Sequence, residues 1–187
     1  MILNTILRFV VLIPHRDSRG LLENYRQRLF AGGFAGAYAF PVLAPLAQVS
    51  RSFSPEELKA LAHEVRSLTL PNDGKITAGR PGRVLCPLAE GATFFGPLLD
   101  LPSPETITGL SNEKARFLFP QIVLCAALLL PKEETPDIPG LSVISFRAAK
   151  IANLAVRPLE GGAAPYSFEW RLGQERWLPA FTRSRNA

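Results

Sequence analysis

Residues 39–68 read AFPVLAPLAQVSRSFSPEELKALAHEVRSL, and the change of pattern inside this stretch decides the fold class. Its first third is apolar and carries Pro41 and Pro45, so it reads as a strand. Proline cannot donate to a ladder, and the strand is therefore expected to be irregular or at an edge. Ser54-Pro55-Glu56-Glu57 then supplies a helix start: Ser at the N-cap, Pro at the first helical position and Glu at the third. Leu58, Leu61, Ala62, Val65 and Leu68 recur at helical spacing and mark the buried stripe, with His63 off it.

On the N-terminal side, residues 7–13 (LRFVVLI) form a near-continuous apolar run, as expected of a strand buried on both faces. Asp17 or Ser18 is placed to cap a helix whose apolar positions are Leu21, Leu22, Tyr25, Leu29 and Phe30, and Gly32-Gly33 stops it. On the C-terminal side, Pro71-Asn72-Asp73-Gly74 is a turn. Strands are expected over 75–78, 83–88, 93–101, 141–146, 151–156 and 166–172, with a long apolar run over 117–130. Residues 102–113 are polar and hold at most a short helix near Ser103.

The chain has 187 residues, close to one ordinary domain, and nothing in it reads as a linker. With 47% hydrophobic and 20% charged residues it is globular rather than disordered. Seventeen prolines and 14 glycines favour short elements and turns over a helical bundle. A net charge of +5 admits a polyanion partner without requiring one. Cys86 and Cys125 both lie in apolar runs and read as small buried hydrophobes. Two cysteines make neither a disulfide framework nor a closed zinc site. Arg8 interrupts the N-terminal apolar run, no small-residue cleavage site follows, and no run is long enough to span a bilayer. The expected location is cytoplasmic, with no membrane partner.

No catalytic constellation emerges from composition and spacing. His15 and His63 are the only histidines, and neither has partners at metal-ligand spacing. There is no phosphate-cradling glycine motif. Cys125 has no flanking base. Glu133-Glu134 sits in a polar loop. Neither a cofactor nor a metal is implied.

The stretch 39–68 resembles the first signature region of the 2′-5′ RNA ligase-like, or two-histidine phosphoesterase, superfamily. There a strand bearing His-x-Thr/Ser leads through a turn to a helix that starts much like Ser-Pro-Glu-Glu-Leu. A second strand, preceded by Phe-Pro, repeats His-x-Thr/Ser; here it corresponds to Phe119-Pro120-Gln121-Ile122-Val123-Leu124. The opening strand and helix and the closing strands also fit, so the likeness covers most of the chain. It implies an α+β domain over 1–187 with two lobes of antiparallel sheet, outer helices and a central groove. The catalytic motif itself is replaced. Phe40 and Val42 stand at the first His and Thr/Ser, Gln121 and Val123 at the second. Phe40 and Val42 neither ionise nor donate, and Gln121 donates a hydrogen bond but shuttles no proton.

The resemblance therefore implies a pseudoenzyme that binds RNA ends, nucleotides or another phosphorylated ligand. The residues assigned to the ligand are Phe40, Arg51, Gln121, Arg147 and Lys150: arginine forks for phosphate, Phe40 for base stacking. Two alternatives stand beside this reading. One is a structural or partner-binding protein whose groove is filled by side chains. The other is an active phosphoesterase with relocated catalysts, for which His15 is the substitute. Which protein partner it would have, the sequence leaves open.

Overall fold

The apolar run around Phe9 becomes the centre of a sheet, because a strand without a polar face is stable only between two others. In the computed structural model, β1 (Thr5–Pro14) lies between β2 (Ala44–Val49) and β8 (Val143–Pro158), antiparallel to both. Leu7 and every residue from Phe9 to Ile13 are buried. The structure describes residues 5–38, 42–49, 53–85, 93–101, 114–117, 122–123, 127–129, 134–137, 141–158, 166–172 and 175–177.

The remaining elements, in chain order, are α1 (Arg16–Ala31) and a 3-10 turn (Ala35–Tyr38) before β2, then α2 (Pro55–Arg66) and a second 3-10 turn (Pro71–Gly74). There follow β3 (Lys75–Leu85), β4 (Thr93–Leu99), β5 (Ala115–Phe117), β6 (Ile122–Val123) and β7 (Ala127–Leu129) ahead of β8, with β9 (Tyr166–Leu172) and β10 (Glu175–Trp177) after it. The strand order is β5-β2-β1-β8-β3-β4-β6; β7 extends the partner edge of β4, and β9 and β10 continue from the far end of β8. All described pairings are antiparallel. Two helices on an antiparallel sheet make this an α+β fold. None of the described helices is long and apolar enough to cross a membrane.

β8 organises the sheet. Its first three residues pair with Lys75, Ile76 and Thr77 of β3, its middle with β1, and its last seven with β9. β3 in turn leaves β8 after Thr77 and pairs with β4 from Ala78 to Leu85. The strand order also curls. β5 and β6 stand at its two ends, yet only five Cα steps separate Phe117 from Ile122. Five steps reach at most about 18 Å. Six flat interstrand spacings would need about 29 Å. Accordingly β6 lies against β2.

One face of the sheet is covered by α2. Val10 and Leu12 of β1, Ala44, Leu46, Ala47 and Val49 of β2 and Ile144 and Phe146 of β8 pack there with Leu61, Val65 and Leu68. The helix begins with the expected capping box. Ser54 Oγ accepts from Glu57 N–H at 3.2 Å, and a Glu57 carboxylate oxygen accepts from Ser54 N–H at 2.7 Å. Helix α1 bridges two clusters, with Leu22 in the α2 cluster and Tyr25 and Leu29 against Phe95 and Leu129 of β4 and β7.

Several local expectations are corrected. The N-cap of α1 is His15, not Asp17 or Ser18; its Nδ1 accepts from Asp17 N–H at 3.5 Å, the outer limit of a hydrogen bond. Ser18 is buried instead, because its Oγ accepts from Ser145 N–H at 3.2 Å and ties the helix start to β8. Leu21 and Phe30 are exposed at 55% and 54%, and their place on the buried stripe is taken by Arg26. β2 is not an edge strand, since β5 pairs outside it. Pro45 is accommodated by a bulge: Val10 faces Ala47 and Val11 faces Pro45, leaving Leu46 as the extra residue. β3 runs on through Gly79–Gly82, and β8 is one strand where two were expected, each with a bulge where alternation breaks. The strand at 93–101 ends at Leu99, and β10 was not anticipated.

Candidate functional site

Lys150 and Arg147 lie three apart on β8, a spacing that puts two residues on opposite faces of a regular strand. Here they share a face. Lys150 pairs with Val11 and Arg147 with Ile13, so β8 has two residues opposite the single Leu12. That extra residue restores the phase. Their common face is the one that carries Phe9, Val11 and Ile13, turned away from the α2 cluster.

Cross-strand register fills in the rest of this face. Gln48 of β2 stands opposite Phe9, and Arg116 of β5 opposite Gln48. Pro45 stands opposite Val11. Beyond β8 the same face continues through Ala152 to Leu172, and through Leu154 to Trp170 and Trp177. By alternation Phe168 belongs with Trp170. The face thus combines three cationic positions, Arg116, Lys150 and Arg147, with an aromatic end. Its centre is closed: Phe9, Val11 and Pro45 are buried.

Of the other expected site residues, Phe40, Arg51 and Gln121 lie outside the described residues, as do Cys86, Cys125 and the stretch expected to hold a short helix near Ser103. Val42 is half-buried against the α2 cluster, where it is part of the core packing. Val123 is in β6 opposite Leu98. Along β2 and the residue just before it, the positions that face away from α2 are Leu43, Pro45 and Gln48, by alternation about Ala44 and Ala47. Leu43 is fully buried. Neither Leu43 nor Pro45 ionises.

His15 stands directly after the end of β1, where its backbone meets Ser145, two residues from Arg147 on β8. His63 is exposed on α2. His15 is half-exposed at the start of α1; its Nδ1 is 3.1 Å from Asp17 Oδ2 and its backbone N–H donates to Ser145 O at 2.6 Å. Among the described residues no group of three or more His, Cys, Asp or Glu could hold a metal ion.

Two polar groups are held deep in the molecule beside α1. Arg26 is 1% exposed; its Nε donates to Ala37 O at 2.8 Å, and Glu23 Oε1 is 3.5 Å from a terminal nitrogen. This ties α1 to the 3-10 turn that leads towards Phe40. The Tyr25 hydroxyl is buried without a protein partner, and burial raises its pKa far above the usual phenol value, so it stays neutral.

Sequence reading missed Arg116, Gln48 and the aromatic end. The aromatic end had a signal: residues 166–172 alternate Tyr, Phe, Trp and Leu with Ser, Glu and Arg. Arg116 and Gln48 had none, because only long-range register brings them to the face. The fold defines an antiparallel α+β protein, with basic and aromatic residues at in-phase register positions of its sheet. No protein-family model, characterised protein or solved structure matches the chain.

Proposed function

We propose that this chain is a non-catalytic relative of the 2′-5′ RNA ligase-like phosphoesterases that binds a phosphorylated ligand, an RNA end or a nucleotide, on the sheet face that holds Arg147 and Lys150. The observation that carries the reading is the β8 bulge. Its register gives Arg147 and Lys150 the same strand phase, which supports the reading, and arginine forks bond paired phosphate oxygens. The curled strand order supports a groove between two lobes, because it sets β2 and β6 against each other. β6 follows the Phe119-Pro120 pair, as the family pattern expects of its second motif strand. The replacement of the motif's His and Thr/Ser by Phe40, Val42, Gln121 and Val123 supports a binding rather than a catalytic role. Phe40, Arg51 and Gln121 complete the proposed ligand contacts.

A second reading is favoured by a specific observation. Phe9, Val11, Leu43 and Pro45 are all buried at the centre of the face, as a filled groove in a structural or partner-binding protein would require. One experiment separates the two. A labelled nucleotide and a short single-stranded RNA are titrated at several salt concentrations against the protein and against Arg147→Ala/Lys150→Ala. Binding that weakens in the double variant supports the phosphate site. Absence of binding at low salt leaves the filled groove.

A further inference from the structure

The sheet face turned away from α2 is closed at its centre and open at one end. Ile76, Ile144 and Phe146 pack into the α2 cluster, so the alternate residues of the same strands belong to the other face: Lys75 and Thr77 of β3, Val143 and Ser145 of β8. Lys75, Thr77 and Val143 are exposed, and Ser145 is half-buried. The β1–β8 ladder brings a further residue to this end. Pro14 pairs with Phe146; one step on, the His15 N–H donates to Ser145 O at 2.6 Å, with the His15 backbone still extended. His15, Ser145 and Lys75 therefore stand side by side at one level of the sheet. Two interstrand spacings, about 10 Å, separate the outer two backbones, within the combined reach of a lysine and a histidine side chain around one phosphate group. The adjoining level along β8 carries Arg147, opposite Ile13.

We propose that this open level seats a terminal phosphate monoester, with Lys75 as its charge and with His15 Nε2 and the Ser145 hydroxyl as hydrogen-bond donors. The inference rests on the proposed function, and it moves the phosphate from the buried centre of the face to its open end. The cap of α1 prepares the histidine for this role. Its Nδ1 accepts from Asp17 N–H at 3.5 Å, so in the neutral ring the proton is on Nε2, which can donate. In the charged ring Nδ1 has Asp17 Oδ2 at 3.1 Å, and Nε2 still donates. Two carboxylates flank the level: Asp17 beside His15, and Asp100, whose N–H donates to Thr77 O one level beyond Lys75. Both are exposed, so water and salt screen them. Among the described residues no carboxylate lies within ion-pair distance of Lys75. Val143, 49% exposed on the level of Thr77, offers apolar contact to the sugar or base.

The test is calorimetric titration of the full chain at low salt with adenosine monophosphate, with adenosine and inorganic phosphate as companion probes. The nucleotide binds, phosphate displaces it, and adenosine binds at least about tenfold more weakly. Lys75→Gln weakens nucleotide binding by about tenfold or more, the loss of one charge-assisted contact, and leaves the melting temperature unchanged because Lys75 is exposed. His15→Asn weakens it by a similar factor. Asparagine keeps the helix cap but is too short to reach the phosphate, so the melting temperature holds while affinity falls; a purely capping role for His15 leaves both unchanged. Should His15→Asn not fold, Lys75→Gln decides alone. A short RNA with a terminal phosphate and its dephosphorylated form separate the two sources of the monoester. Preference for the phosphorylated RNA, lost in Lys75→Gln, assigns the seat to RNA ends; binding of the mononucleotide alone assigns it to nucleotides. Wild-type affinity in both Lys75→Gln and His15→Asn, with binding lost in Arg147→Ala/Lys150→Ala, overturns this seat and keeps the proposed function. Adenosine bound as tightly as the nucleotide, or no binding of any probe, overturns both.

Discussion

At Gly20, inside α1, no heavy atom lies within 4 Å of where a Cβ would stand. Glycine in a helix interior loses backbone freedom on folding, so Gly20→Ala is expected to raise stability by about 0.5–1 kcal/mol. Gly74 is the reverse case. It closes a turn in which Asn72 and Asp73 already have positive φ; its own φ is +79°, and a Cβ there would run into the Phe146 carbonyl of β8. Gly74→Ala is expected to cost about 2 kcal/mol or more, since strain and clash add. Urea unfolding of the two variants checks both signs, and a stable Gly74→Ala protein would mean that the turn can move away from β8. Arg26 gives a third residue-scale expectation. Replacing it by Leu leaves the carbonyl of the fully buried Ala37 without its donor, at a cost of about 2–3 kcal/mol. Arg26→Lys is not expected to rescue, because an ammonium does not reproduce the fixed Nε–H direction. Equal stability of the Leu variant would show that the buried bond contributes nothing net.

Helix α2 shows what a local signal can and cannot establish. Its start was legible because the capping box is built from residues three apart, and its buried stripe because 3.6 periodicity is local too. The box has a pH signature. The Ser54 backbone N–H, and then its hydroxyl, bond the Glu57 carboxylate and hold its pKa below the ordinary Glu value. The ionised form is thus favoured in the folded chain. That contribution is fully present above the unfolded pKa and is lost as pH falls through the lowered folded value. The melting-temperature gap between the protein and Glu57→Gln is therefore expected to be widest near neutral pH and to close in acid; a gap that widens in acid contradicts the box. The strands were less legible, for a physical reason. Each of the pairings β1–β2, β1–β8 and β3–β4 contains a register slip, and a slip breaks the period of two on which strand reading depends. For that reason β3 and β8 each read as two pieces. The helical cap of α1 was misplaced because Ser18 serves a partner 127 residues away, which no local pattern encodes.

The candidate faces are properties of the whole molecule. Arg147 and Lys150 were visible as cations, but their common phase depends on the bulge against β1. The expected absence of turnover follows from the chemistry that the family motif would need. General acid–base catalysis of phosphoester cleavage needs one group to take a proton from the attacking oxygen and another to protonate the leaving oxygen. Loss of one such group costs about 10²–10⁴ in rate. At the positions the family resemblance would assign to both stand Phe40 and Gln121, with Val42 and Val123 beside them. His63 is exposed on α2. His15 is engaged as the cap of α1, with Asp17 beside its Nδ1. We therefore expect no hydrolysis of 2′,3′-cyclic nucleotides and no joining of RNA ends above the uncatalysed background. The measurement is product formation by purified protein alongside His15→Ala and His63→Ala. Turnover that disappears in His15→Ala, while the variant keeps its melting temperature and RNA affinity, would place the catalyst at the start of α1 and make the chain an enzyme with a relocated site. Turnover that survives both substitutions would assign the chemistry to groups other than histidine, since the chain has only two. Binding without turnover is the combination that the proposed function expects.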